Sequence, residues 1–174
     1  MLVHGAKPDK LVSFEVSIAL SLAAPDISST PEAVELLSML CELPDGLHMW
    51  KERLPIIGAG FHDVHLLFSL LHDAALVFTE GSWLKVLSSI RHFVPQNHPA
   101  SDVHHQHLEG YFWSLVDKYA SKSPGPEFVD ALEMLEPDMG NVSILVIKAV
   151  QSHPSPQIVE IILKLSKFLS WTHP

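Results

Sequence analysis

Histidine is the residue type plentiful enough to suggest a site, with 12 among 174 residues. His62 and His65 stand three apart, and so do His104 and His107. On a helix this spacing puts both imidazoles of a pair on one face, the arrangement that begins a Zn²⁺ site. Asp63 and Asp102 flank the pairs. Neither His-Glu-x-x-His nor Glu-x-x-His occurs, and the single cysteine, Cys41, excludes cysteine-rich structural zinc sites. Ordinary surface or half-buried histidines are therefore the first expectation. Acyl transfer has no Gly-x-Ser-x-Gly to run on, and Cys41 sits in a Leu/Met helical context that predicts burial. Gly58-Ala59-Gly60 lacks the third glycine and the lysine of a phosphate loop. The carboxylate pairs Glu32/Glu35, Glu127/Asp130 and Glu133/Glu136 read as solvated helix faces, some favoured by the positive helix N-terminus. No cofactor is expected.

Composition narrows the partners. Twenty acidic side chains stand against 11 basic ones, a formal net charge of -9. A phosphate backbone wants a cation at each contact, so direct nucleic-acid binding is not expected. The longest run free of Asp, Glu, Lys and Arg is the 11 residues Ala149–Val159, well short of the roughly 18–20 apolar residues of a membrane span. A lone thiol predicts a reducing compartment, cytoplasm or nucleus. With 47% hydrophobic and only 18% charged residues, the 174-residue chain reads as one domain, part of a larger protein, with apolar surface left over for a partner.

The elements that must position any site read as helices throughout, because Pro and Gly punctuate segments whose apolar residues recur at i, i+3, i+4 and i+7. Helices are expected over 9–23, 31–42, 47–54, 61–79, 82–93, 102–121, 126–135, 142–151 and 156–171. Thr30 before Pro31 and Ser155 before Pro156 read as hydroxyl N-caps ahead of a proline at the first helical position. The β-branched stretch Val142–Val150 could pair as a buried strand, but nothing else offers it a strand partner, so a helix is preferred.

Residues 31–40 recur at 126–135 with six of ten positions identical, including the Pro-Glu opening, and a looser copy begins at Pro156. The aligned valines Val34, Val64, Val103, Val129 and Val159 are separated by 30, 39, 26 and 30 residues, each step being room for one helical hairpin. Helix pairs of this size bury their apolar faces by stacking, the logic of an α-solenoid. The pattern resembles an irregular armadillo or HEAT array over most of residues 9–171. The fold expectation is thus all-α: stacked antiparallel helix pairs, about eight or nine helices. The resemblance implies a groove presented to a peptide or partner domain.

A second resemblance competes. Leu70-Leu71-His72-Asp73-Ala74-Ala75-Leu76 is similar to the metal centre of the all-helical HD phosphohydrolases. That likeness implies His48 and Asp117 or Asp130 as the outer ligands, although Ala75 and Leu76 stand where glycine and lysine commonly follow the pair. His62, His65, His72 and Asp73 are the metal ligands this alternative would use. Trp50, Trp83, Trp113 and Trp171 fall one per expected helix and read as packing residues. Lys148, Lys164 and Lys167 form a basic cluster if the last two helices lie side by side. The favoured function is a non-enzymatic module that binds a partner protein's helix or peptide segment. Its candidate surface is the terminal helix, through Ile158, Ile161, Ile162, Leu165 and Trp171, because a last repeat has no following neighbour. A metal-dependent helical hydrolase and a self-associating homo-oligomeric bundle are the alternatives.

Overall fold

Proline places many of the helix starts. In the computed structural model, which describes residues 8–122 and 125–172 with side chains from residue 14 onward, Pro8, Pro25, Pro31, Pro126 and Pro156 each open a helix. The missing N–H is harmless there and the fixed φ suits the first turn. The helices are α1 (Pro8–Leu22), α2 (Pro25–Ser28), α3 (Pro31–Cys41), α4 (Trp50–Ile57), α5 (Val64–Asp73), α6 (Ser88–Asn97), α7 (Asp102–Tyr119), α8 (Pro126–Leu135), α9 (Met139–Ser152) and α10 (Pro156–Thr172). A 3₁₀ turn, Glu136–Asp138, joins α8 to α9. The β-branched stretch 142–150 lies inside α9 and is helical. Ser155 does approach the amide of Ile158, at 3.5 Å. Thr30 makes no side-chain cap; its backbone carbonyl takes the Ala33 N–H at 2.9 Å.

The expectation of an all-helical chain is corrected in the middle. Strands β1 (Leu47–His48), β2 (Phe78–Glu80) and β3 (Trp83–Lys85) form an antiparallel sheet in the order β1-β3-β2. The expected helix over 61–79 stops at Asp73 because Ala75 turns left-handed (φ 55°) and the Leu76 N–H closes the helix on the Leu71 carbonyl at 2.9 Å. This is the closure glycine usually makes, here made by alanine. Gly81 (φ 59°) then reverses the chain between β2 and β3, so the expected helix over 82–93 begins as a strand and turns helical only at Ser88. Likewise Leu47–His48 is a strand, and Met49 (φ 48°) redirects the chain into α4.

α3 lies at the centre and meets α2, α5, α6 and α7. Its Ala33, Leu36, Leu37 and Met39 are 0% exposed. α1 leans on α6, far along the chain, while α7 carries the core onward to α8 and α10. Buried side chains from Ile18 to Phe168 make one connected cluster.

Two polar features hold this core in register. Gly46 (φ 84°) precedes β1, and a Cβ there would lie 2.6 Å from the Leu84 carbonyl oxygen of β3. The Gly46 carbonyl accepts from Asn141 Nδ2 at 2.8 Å. Close by, Arg53 of α4 forms an ion pair with Asp138, both almost wholly buried. Asn141 donates to Asp138 Oδ1 at 3.2 Å and accepts the Asp45 N–H at 3.1 Å. Residues 45–53 are thereby locked to residues 138–141. Burial pushes the Asp138 carboxyl up from its ordinary value, with Arg53 and Asn141 pulling against it.

Gly46→Ala should lower stability by about 2 kcal/mol or more, since it combines a left-handed φ with a clash against fixed backbone. Arg53→Met should cost about 3–5 kcal/mol by stranding a buried carboxylate, and Arg53→Met with Asp138→Leu should recover part of that loss. Urea unfolding of the single and double variants checks both.

Candidate protein-binding site

α10 shows where the expected binding face went. Ile158, Ile161, Leu165 and Phe168 recur along one side of the helix and are 6%, 1%, 8% and 1% exposed. They are covered because α10 has more than one neighbour: it meets both α7 and α9. Phe168 and Trp171 also reach Phe128 of α8, with ring centroids 5.5 and 5.8 Å apart. Ile161 and Leu165 are therefore core residues, a correction to their expected role, while Ile158, also mostly buried, keeps an edge on a surface groove. Ile162 is partly buried against the core, and Trp171 is half-buried under the Lys167 ammonium at 5.0 Å.

The outward face carries a different apolar set. Val159 and Leu163 of α10 are 57% and 64% exposed, and Ile144, Ile147 and Val150 of α9 are 38%, 52% and 45% exposed. Between the two helices an open groove of about 440 Å³ is lined by Val150, Pro154, Ser155, Pro156, Ile158, Val159 and Ile162. Pro154 and Pro156 fix the backbone of the link that shapes it. Nothing charged lines the groove.

The described histidines sit in separate places. His62 and His65 are exposed. His72 Nδ1 and Asp73 Oδ1 are 3.8 Å apart at the open end of α5. His48 lies tilted against Trp83 with centroids 4.7 Å apart, Asp117 pairs with Lys164 at 2.9 Å, and Asp130 is exposed on α8. Among the described residues no group of three His, Cys, Asp or Glu side chains is placed to hold a metal ion. His104 and His107 also diverge: His104 meets Glu35 of α3 at 2.9 Å, whereas His107 Nε2 donates to the Ile56 carbonyl of α4 at 3.0 Å.

Sequence reasoning missed one trio with the right residue types for nucleophilic chemistry. Ser101 Oγ lies 2.9 Å from His104 Nδ1, and Glu35 lies 2.9 Å from the same nitrogen. A nucleophile and its orienting acid must occupy opposite ring nitrogens, so this trio cannot relay a proton. Ser101 instead caps α7, and His104 stacks on Phe61 at 4.1 Å. Cys41 is buried as expected, and burial pushes its thiol up to about 12, which removes the thiolate.

The remaining expected clusters are dispersed. Lys148 bonds Glu42 at 2.7 Å, Lys164 bonds Asp117 and Glu160, and Lys167 covers Trp171, so the three lysines form no shared basic patch. The tryptophans do pack: Trp113 is buried, and Trp50 meets Phe68 at 4.6 Å. Trp83 lies on β3 rather than on a helix. The burial contrast along α10 gives a direct expectation. Ile161→Ala should cost about 2–5 kcal/mol. Leu163→Asp should stay within about 0.5 kcal/mol of wild type, both read by urea unfolding.

The chain matches no family model, no curated protein and no solved structure, so its likeness to armadillo and HEAT arrays rests on helix pattern alone.

Proposed function

We propose that the chain is a non-enzymatic protein-interaction module whose α9–α10 groove receives an amphipathic helix or apolar peptide segment of a partner protein. The observation that carries this is the set of five exposed aliphatic side chains, Ile144, Ile147, Val150, Val159 and Leu163, on the two helices that border the groove. Exposed apolar side chains on helices that border an open groove are what a docking surface offers, and each one fully covered contributes about 1.5–3 kcal/mol. The groove suits a helix docked by anchors at i, i+3 or i+4, and i+7. The short-solenoid reading of the fold belongs to the same proposal and draws its support from the α7–α8 and α9–α10 helix pairs, which meet where α10 packs on α7. No helix among the described residues is long and apolar enough to cross a membrane. A reducing compartment, cytoplasm or nucleus, suits the single buried thiol.

The test is a display-library selection of amphipathic helical peptides against the wild-type chain, followed by methyl NMR. Bound peptides should shift Val150, Val159, Ile162 and Leu163, and Leu163→Asp should weaken them about tenfold or more, roughly 1.4 kcal/mol. Shifts that map elsewhere would overturn the groove assignment. So would a particle mass that grows with concentration and reverts in Leu163→Asp, because the patch would then be covered by a second copy of the chain.

A further inference from the structure

The start of α7 is fastened to the end of α3 by a histidine with no free ring nitrogen. His105 Nδ1 lies 3.3 Å from Glu42 Oε2, and His105 Nε2 lies 3.1 Å from Glu109 Oε1. Glu42 is the C-cap of α3, and Glu109 is one turn further along α7. An ionised carboxylate only accepts, and a neutral imidazole has only one N–H to give. Both contacts are attractive only when the ring is an imidazolium. With the proton gone, one ring lone pair would face a carboxylate lone pair.

We infer that His105 is a proton-operated clamp, closed as the imidazolium across Glu42 and Glu109 and loosened on deprotonation, that governs how firmly the first turns of α7 sit on α3. Each packed element contributes to its charge balance. α3 presents Glu42, α9 presents Lys148 with Nζ 2.7 Å from the same Glu42 oxygen, and α7 itself presents Glu109. α4 meets this end of α7 through the backbone carbonyl of Ile56, a neutral acceptor, on His107. The negative end of α3 favours the cationic form of the ring. The clamp is partly shielded, since the side chains of His105, Glu42 and Glu109 are 27%, 12% and 18% exposed.

The titrations have opposite signs. The hydrogen bond to Glu42 lifts His105 above its ordinary 6.5, with burial opposing. Its contribution is therefore complete below 6.5 and is lost as pH rises through the lifted value. Burial would push Glu42 up, but the bonds from His105 and Lys148 overcome it and hold the carboxyl below its ordinary 4.5. That contribution is complete above 4.5 and is lost as pH falls through the lowered value. The clamp is firmest between these limits.

The test is a proton NMR titration of the His105 ring in the wild-type chain, with amide hydrogen exchange over residues 104–110 at about pH 5.5 and about pH 8, corrected for intrinsic rates. The ring should titrate above 6.5, and corrected exchange should rise several-fold at the higher pH. Glu109→Gln should bring the ring's titration back toward 6.5, and His105→Gln should flatten the pH dependence of exchange. A ring titrating at or below 6.5 in the wild type would overturn the clamp whether or not the variants fold. Exchange that keeps its pH dependence in a folded His105→Gln would overturn it as well.

Discussion

The buried pair of Arg53 and Asp138 is the constraint around which the two halves of the molecule are arranged. Taking two charges out of water costs several kcal/mol per ion, and only close geometry with full hydrogen bonding offsets it. Asn141 supplies that satisfaction by serving Asp138, Gly46 and Asp45 together. The arrangement specifies position more than it adds stability. If the 3₁₀ turn at Glu136–Asp138 slid along α4, both charges and the Asn141 amide would be stranded at once. The left-handed Gly46 belongs to the same device, because only a residue without Cβ lets β3 pass close enough for the Asn141 bond.

Much of the helical plan was legible, and the reason is local. Proline at the first helical position and an apolar stripe gave α8 its observed bounds and α10 bounds within a residue. The sheet was not legible by that route, because its turns rest on Met49 and Ala75 in left-handed conformations that their types do not announce. One signal was present: Gly81-Ser82 separates two short stretches rich in Val, Phe, Thr, Trp and Leu, the spacing of a two-residue hairpin. Helical periodicity outweighed it, since Phe78 falls in phase with the α5 stripe of Val64, Leu67 and Leu71 even though it lies on β2.

The candidate site failed and succeeded for related reasons. The stripe on α10 correctly marked which side chains are apolar, but burial depends on neighbours distant in sequence. α10 packs on α7 and α9 and its Phe168 meets Phe128, which no pattern within α10 could report. The residues left outside, Val159 and Leu163, fall between the positions that the stripe emphasised. Histidine spacing was local information of the same kind. Spacing put His104 and His107 on one helix, yet each turned to a different neighbour, and His105 between them met a carboxylate at each ring nitrogen.

The proposed groove gains from the same polar fastenings. One wall is α9, held at its start by Asn141 and further along by Lys148 on Glu42. Ile144 and Ile147 lie between these two anchor points, so the helix that presents them is tied to the α3–α4 side of the core at both ends of that stretch. A wall fixed before binding loses little conformational freedom when a partner arrives, and that saving appears as affinity. Lys148 also shares Glu42 with His105, so the anchor of the groove wall and the closure of α7 meet at one carboxylate. Loosening His105 leaves Lys148 as the remaining cation on Glu42, which keeps α9 in place while α7 relaxes. The wall and the clamp are therefore separable in their proton dependence although they share an atom.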